Sequence, residues 1–165
     1  MNCNVEEIIR KRKSVRTFEK RPLVESDKNA IIACLSELSK EVSPFPAEIR
    51  FQFLDIKDGV NTEKLGTYGV IKGAGSFLGV VVPQALLGLE AAGYAMEELV
   101  LYATHLGLGT CWVGFFPNAV TDEAFGLPDN EKSVFLMPLG YPSEKAEPAP
   151  RHFLRKGLDQ LVVRL

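Results

Sequence analysis

Residues 86–114, LLGLEAAGYAMEELVLYATHLGLGTCWVG, decide how the rest of the chain must be arranged. From Leu86 to Leu106 the segment is apolar, broken only by Glu90, Glu97 and Glu98, and Gly107 stands where a helix C-cap places a left-handed residue. A helix this poor in charge predicts burial in a core or a subunit interface. His105 falls in its last turn, where the helix dipole favours a partly positive ring, so its role is read as structural. After the glycines, Thr110–Gly114 reads as a short strand that carries the sole tryptophan, Trp112.

Towards the N-terminus, Asn4 and Glu7 are spaced as a capping box, and Val5, Ile8, Ile9 and Arg12 fall on one side of a short helix that ends near Lys13. Ser26 is positioned to cap a second helix whose apolar positions, Ile31, Cys34, Leu35, Leu38 and Val42, follow the 3.6-residue period up to Pro44 and Pro46. Ile49, Phe51 and Phe53 alternate with Arg50 and Gln52 as in a half-buried strand, and after a loop rich in glycine the apolar run Ser76–Val82 predicts a buried one. Towards the C-terminus, Thr121 opens a short helix closed by Gly126 and Pro128, and strands are predicted at Val134–Leu139 and Leu158–Leu165. Helices and strands in this order make an α+β fold rather than a βαβ alternation.

The chain has 165 residues, enough for one domain, read as 1–165. With 46% hydrophobic and 24% charged residues it has the composition of a globular protein, not of a disordered or collagen-like one. Gly79–Leu89, interrupted by Pro83 and Gln84, falls short of the ~20 apolar residues that span a bilayer. The opening MNCNVEEIIRKRKS is charged where a secretory signal is apolar, which predicts a cytoplasmic protein with no membrane contact. Three cysteines without CxxC spacing and two histidines offer neither a zinc site nor a disulfide framework, so no metal is expected.

Charge is unevenly spread. Residues 1–21 hold seven Lys or Arg against three acids, and residues 151–165 hold four against one. With a net charge of −2, the body between these basic ends is strongly acidic. That distribution suits a discrete anion site better than a nucleic-acid face, and the sequence pI of about 5.8 and the absence of interleaved aromatics weigh against nucleic-acid binding. Within the basic N-terminus, Arg12-Lys13-Ser14-Val15-Arg16-Thr17-Phe18 places Arg12, Ser14 and Arg16 two apart. In an extended run they point the same way, and two guanidinium forks with a hydroxyl match phosphate oxygens.

In several blocks the chain resembles the FMN-dependent nitroreductases. The opening RKSVRTF looks like that family's phosphate-binding arm, and KLGTYGVIKGA from Lys64, AGYAMEELVLYATHLGLGTCWVG and PLGYPSEK at 138–145 are similar to a compact subgroup of it. The resemblance implies a nitroreductase-like α+β fold, a mixed, mainly antiparallel sheet flanked by helices, with FMN held between the two subunits of a homodimer. It implies that Arg12, Lys13, Ser14 and Arg16 hold the phosphate and ribityl chain, and that the backbone of Trp112, Val113 and Gly114 faces the isoalloxazine. Arg155 looks like a second phosphate ligand, although Gly157 replaces the family's usual proline, and Arg151 is the alternative. Where many members carry an S-x-x-N-x-Q-P-W stretch, this chain has Ser43-Pro44-Phe45-Pro46-Ala47-Glu48, which leaves Pro44 and Phe45 to pack against the ring and supplies no amide. The family's lid insertion is represented only by Asp58–Gly75, which contains Tyr68, a candidate substrate-side group. The implied activity is transfer of a hydride from NAD(P)H through FMN to a nitro, quinone or similar small acceptor by a ping-pong mechanism, with the chemistry carried by the cofactor and no protein acid or base assigned. The alternative from the same residues is a flavin-binding or sensing protein without turnover. Cys111 is read as a buried small apolar residue rather than a redox group.

Overall fold

Apolar patterning predicts a sheet with a buried helix against it, and the computed structural model, which describes residues 4–40, 44, 49–55, 65, 69–82, 87–114, 118–128 and 133–144, has that arrangement. The described elements are α1 (Val5–Lys11), α2 (Glu25–Lys40), β1 (Arg50–Asp55), β2 (Ser76–Val81), α3 (Gly88–His105), β3 (Gly109–Thr110), α4 (Asn118–Ala124) and β4 (Ser133–Gly140). The order matches the expected one through β4, and the strand expected at 158–165 lies outside the described residues. The strands form one sheet in the order β1-β2-β4-β3 with antiparallel ladders. The only parallel pairings described are isolated bridges, Ser14 with Thr110 and Thr17 with Lys72. The fold is therefore α+β, an antiparallel sheet flanked by helices.

Both faces of the sheet are covered, which is why β2 and β4 read as apolar runs without alternation. On one face Leu78, Val80, Met137 and Leu139 pack with Ile31, Leu35 and Leu38 of α2 and with Ala91, Ala95, Met96, Leu99 and Ala103 of α3. On the other, Phe77 and Leu136 meet Val15, Phe18, Leu65, Ile71, Ala74 and Cys111. Each large side chain buried this fully contributes roughly 1.5–3 kcal/mol. α3 ends as predicted: Gly107 has φ 78°, its N–H donates to the Thr104 carbonyl, and the Leu108 N–H reaches back to Ala103, a Schellman cap.

The second face is closed by an extended arm, residues 12–21. The Val15 N–H donates to the Thr110 carbonyl (2.8 Å), Phe18 N–H to Lys72 (2.8 Å), Lys72 N–H to Arg16 (2.8 Å), Glu19 N–H to Tyr141 (2.9 Å) and Ser143 N–H to Thr17 (3.1 Å). Glycines make room for it. A Cβ on Gly73, which has φ 77°, would lie 2.5 Å from the Phe18 carbonyl oxygen, and one on Gly109 would lie 2.8 Å from the Val15 side chain.

Several expectations are corrected. Ser26 does not cap α2. The helix starts at Glu25, with the Lys28 N–H on the Val24 carbonyl, so Ser26 lies within the first turn. Thr121 is likewise interior to α4, fully buried rather than at its start. The strand expected over 110–114 pairs as a ladder only at Gly109 and Thr110 and returns to β4 at Val113, opposite Leu136. In that register Cys111 faces Pro138, which has no N–H to donate. Of the apolar residues on α1 only Ile8 is buried, because the short helix turns one side to α3 and leaves Val5 and Ile9 exposed. α3 does have an outer face, on which Leu89, Glu90, Tyr94 and Glu98 are exposed. Among the described residues no helix is long and apolar enough to cross a membrane.

Gly73→Ala should cost about 3 kcal/mol, because the new Cβ meets fixed backbone at a left-handed φ. Urea denaturation checks this, and a loss below about 1 kcal/mol would show that the arm is not seated tightly there.

Candidate functional site

α1 is capped by the Asn4 side chain, which accepts from the Glu7 N–H, and it ends where Arg12 turns to ψ 128°. From that residue the chain is extended, so neighbouring side chains alternate. Val15 is buried against Gly109, whereas Arg12 and Ser14 are half-buried and Lys13 and Arg16 exposed. Arg12, Ser14 and Arg16 are thus less buried than Val15 and Phe18, and because those two core residues are three apart the arm does not keep a strict two-residue alternation.

Ion pairing divides the basic residues of this end. Arg10 pairs with Glu6 and Lys11 with Glu7, each at 2.6 Å and well exposed, and Arg21 pairs with Glu19. Lys13 and Arg16 have no carboxylate within salt-bridge distance among the described residues. Lys72, exposed and joined to the arm through its backbone at Arg16 and Phe18, adds a further cation beside Arg16. Sequence reasoning passed over Lys72 because it stands in a glycine-rich loop, far along the chain from the arm.

The arm meets the segment after α3 at Ser14 and Thr110. Cys111 lies directly beneath this junction. Burial pushes its thiol up, while the charges of Arg16 and Arg12 and a hydrogen bond from Ser14 pull it the other way. Ser14 and the two arginines therefore act on one buried sulfur. Its Sγ also contacts the Trp112 carbonyl at 3.6 Å, and it forms part of the core, in line with its reading as an apolar residue.

Trp112 is anchored rather than free. Its Nε1–H donates to Glu97 Oε2 of α3 (3.1 Å), and its ring meets Phe135 edge-on with centroids 5.2 Å apart. Glu97 is half-buried, unlike Glu90 and Glu98, and an acid on the inner side of an apolar helix was the available sequence signal for such a partner. The Val113 N–H donates to the Leu136 carbonyl, whereas Gly114 is exposed with open space around its Cα. Pro44 is an exposed bend. Phe45, Tyr68, Arg151 and Arg155 lie outside the described residues. Among the described residues no cluster of His, Cys, Asp and Glu is arranged to hold a metal ion, and Cys34 and Cys111 are free thiols.

What the arrangement offers is an exposed cationic edge with a hydroxyl, next to a glycine-bearing segment where a flat molecule can approach. Comparison with known proteins shows the family and the fold. Residues 4–164 match the family model described as "Putative TM nitroreductase". The chain is 26% identical over 171 residues to the NADPH-flavin oxidoreductase of Vibrio harveyi, covering 92% of this chain and 70% of that protein. Its fold is similar to the crystal structure of a nitroreductase family protein from Clostridium difficile 630, with TM-score 0.77, 23% identity and 98% of each chain covered. It is also similar to the structure of the Vibrio harveyi NADPH:FMN oxidoreductase complexed with NAD+, with TM-score 0.72 and 23% identity over 98% of this chain and 77% of that one.

Glu97→Ala leaves the indole N–H without its acceptor and should destabilise the protein by about 1–2 kcal/mol and shift the emission of the single tryptophan. Glu97→Gln keeps an acceptor oxygen and should do so less. Identical emission spectra for the alanine variant and the parent would refute the anchoring role.

Proposed function

Because the chain belongs to the nitroreductase family, we propose that it is an FMN-dependent oxidoreductase that uses NAD(P)H to reduce a nitro, quinone or similar small acceptor by a ping-pong mechanism. The observation that carries this reading is that Arg12, Ser14 and Arg16 all act on Cys111, where the arm bridges to Thr110 beside the 109–114 segment. Two guanidinium forks and a hydroxyl, with Lys13 and Lys72 close by along the backbone, supply the donors and positive charge that a phosphate monoester requires.

In this reading Arg12, Lys13, Ser14 and Arg16 hold the FMN phosphate and ribityl chain, with Arg155, or Arg151 in its place, as a further phosphate ligand. The backbone of Trp112, Val113 and Gly114 borders the isoalloxazine, and the open Cα of Gly114 is where a planar ring can come close. Pro44 and Phe45 pack against the ring, and Tyr68 contributes to the acceptor side. Bound FMN would supply the redox chemistry, taking a hydride from the nicotinamide and giving two electrons to the acceptor. The residues of the chain bind, orient and supply fixed positive charge, so no side chain needs to act as acid or base. The exposed Val5 and Ile9 of α1 and Leu89 and Tyr94 of α3 support a homodimer, because apolar side chains of this size gain by being covered.

Purified protein is expected to be yellow and to lose that colour within seconds of anaerobic NAD(P)H addition. Flavin that stays oxidised would favour the alternative of a binding protein without turnover. Replacing both Arg12 and Arg16 by alanine removes two charge-assisted contacts and should weaken FMN binding by roughly a hundredfold or more. Unchanged FMN content in that double variant would overturn the assignment of the arm. Light scattering should give about twice the 18.2 kDa chain mass, and a monomer with full FMN occupancy would overturn the dimer.

A further inference from the structure

The arm has no regular secondary structure of its own, so the direction of Arg12, Ser14 and Arg16 depends on its bonds to Thr110 and Lys72 and on where its far end is fastened. That fastening converges on Tyr141, the residue that follows β4. Its backbone carbonyl accepts from the Glu19 N–H at 2.9 Å, and the following residues continue the contact, with Phe18 bridged to Pro142 and the Ser143 N–H on the Thr17 carbonyl. Its side chain reaches the other limb of the turn. The phenol donates to Asp27 Oδ2 at 2.6 Å and accepts from the Val24 N–H at 3.2 Å, both at the start of α2. The Arg21 guanidinium lies 3.5 Å from the ring centroid, while its Nε pairs with Glu19. One side chain thus touches the end of the arm, the turn after it and the helix that follows.

We propose that Tyr141 is a positioning residue for the anion-binding arm, its hydroxyl locked to Asp27 so that the arm presents Arg12, Ser14 and Arg16 together to a phosphate monoester. This rests on the reading above that the arm holds a cofactor phosphate.

Two physical consequences follow from the geometry. Residues 19–24 form a short connection between the arm and α2, and the Asp27–Tyr141–Val24 bonds tie the two sides of it to the end of β4. The lock also controls charge. Glu19 is the only acid between Arg12 and Arg21, and with Arg21 stacked on Tyr141 that acid is engaged away from Arg16, where it would compete with an anionic ligand. Burial, followed by the bond to Asp27, raises the phenol above its ordinary value, which favours the protonated form that donates to Asp27.

The test separates phosphate recognition from general stability. The full-length protein is stripped of flavin, and its affinities for FMN and for riboflavin, which lacks the phosphate, are compared in the parent, Tyr141→Phe, Asp27→Ala and Asp27→Asn. Tyr141→Phe keeps the ring beneath Arg21 and removes only the hydroxyl. Asp27→Asn keeps an acceptor for it, and Asp27→Ala does not. The expected result is a preference for FMN over riboflavin that falls about fivefold in Tyr141→Phe and in Asp27→Ala, the size of one ordinary hydrogen bond. Riboflavin affinity should stay unchanged, Asp27→Asn should behave as the parent, and the double variant Tyr141→Phe/Asp27→Ala should be no worse than either single one. Equal losses for both flavins, or an unchanged preference, would overturn the positioning role and leave a contact that only stabilises the fold. If Tyr141→Phe fails to fold, the two Asp27 variants make the same comparison. A parent protein that does not distinguish FMN from riboflavin would overturn the phosphate reading of the arm itself, and the positioning role with it.

Discussion

The structure depends on an extended strip of backbone being received by a row of small residues. Residues 14–19 run beside Thr110 of β3 with Val15 against Gly109 and the Phe18 carbonyl against Gly73, and peptide groups of Val15, Arg16, Thr17, Phe18 and Glu19 bond to Thr110, Lys72, Ser143 and Tyr141. A peptide group removed from water must find a partner, so the arm is confined to a single register. The same confinement decides which side chains face inward. Val15 and Phe18 complete the second core, while Lys13, Arg16 and Lys20 stay exposed.

The cations at this end of the chain are sorted by their neighbours. On the regular turns of α1, Arg10 and Lys11 find acids four residues away, and such exposed pairs contribute little to stability. Once the helix stops at Arg12 that spacing is lost, and Lys13 and Arg16 pass into extended chain whose inner side is apolar. The change from a 3.6-residue to a two-residue period thus removes the acid four residues away that pairs each cation on the helix. Glu97 shows the complementary case. An acid on the inward side of α3 is compensated by the indole N–H of Trp112, which fixes the segment that borders the cationic edge.

Much of this was legible from residue order. The apolar run of α3 with Gly107 beyond it and the uninterrupted run of β2 report local constraints, and each appears in the structure as read. Errors fell where a local signal competed with a distant partner. Ser26 resembles a cap, but the Tyr141 hydroxyl holds Val24 and Asp27 and the helix begins one residue earlier than Ser26. The strand after Gly109 looks continuous, but Pro138 on the opposing strand has no donor for it. Lys72 and Glu97 escaped notice because each acquires its meaning from a residue far away in the chain.

The sequence by itself determined the kinds of element, their order through β4 and the α+β class, because these depend on periodicity and on chemistry within a few residues. Only the tertiary structure decided that the arm bridges to Thr110 beside β3 and to Lys72, that Ser14 and two arginines of the arm act on Cys111, and that Tyr141 joins the arm to α2. The physical reason is that such contacts arise from packing and hydrogen bonding between segments as much as 117 residues apart, and a partner at that distance leaves no periodic trace in either segment.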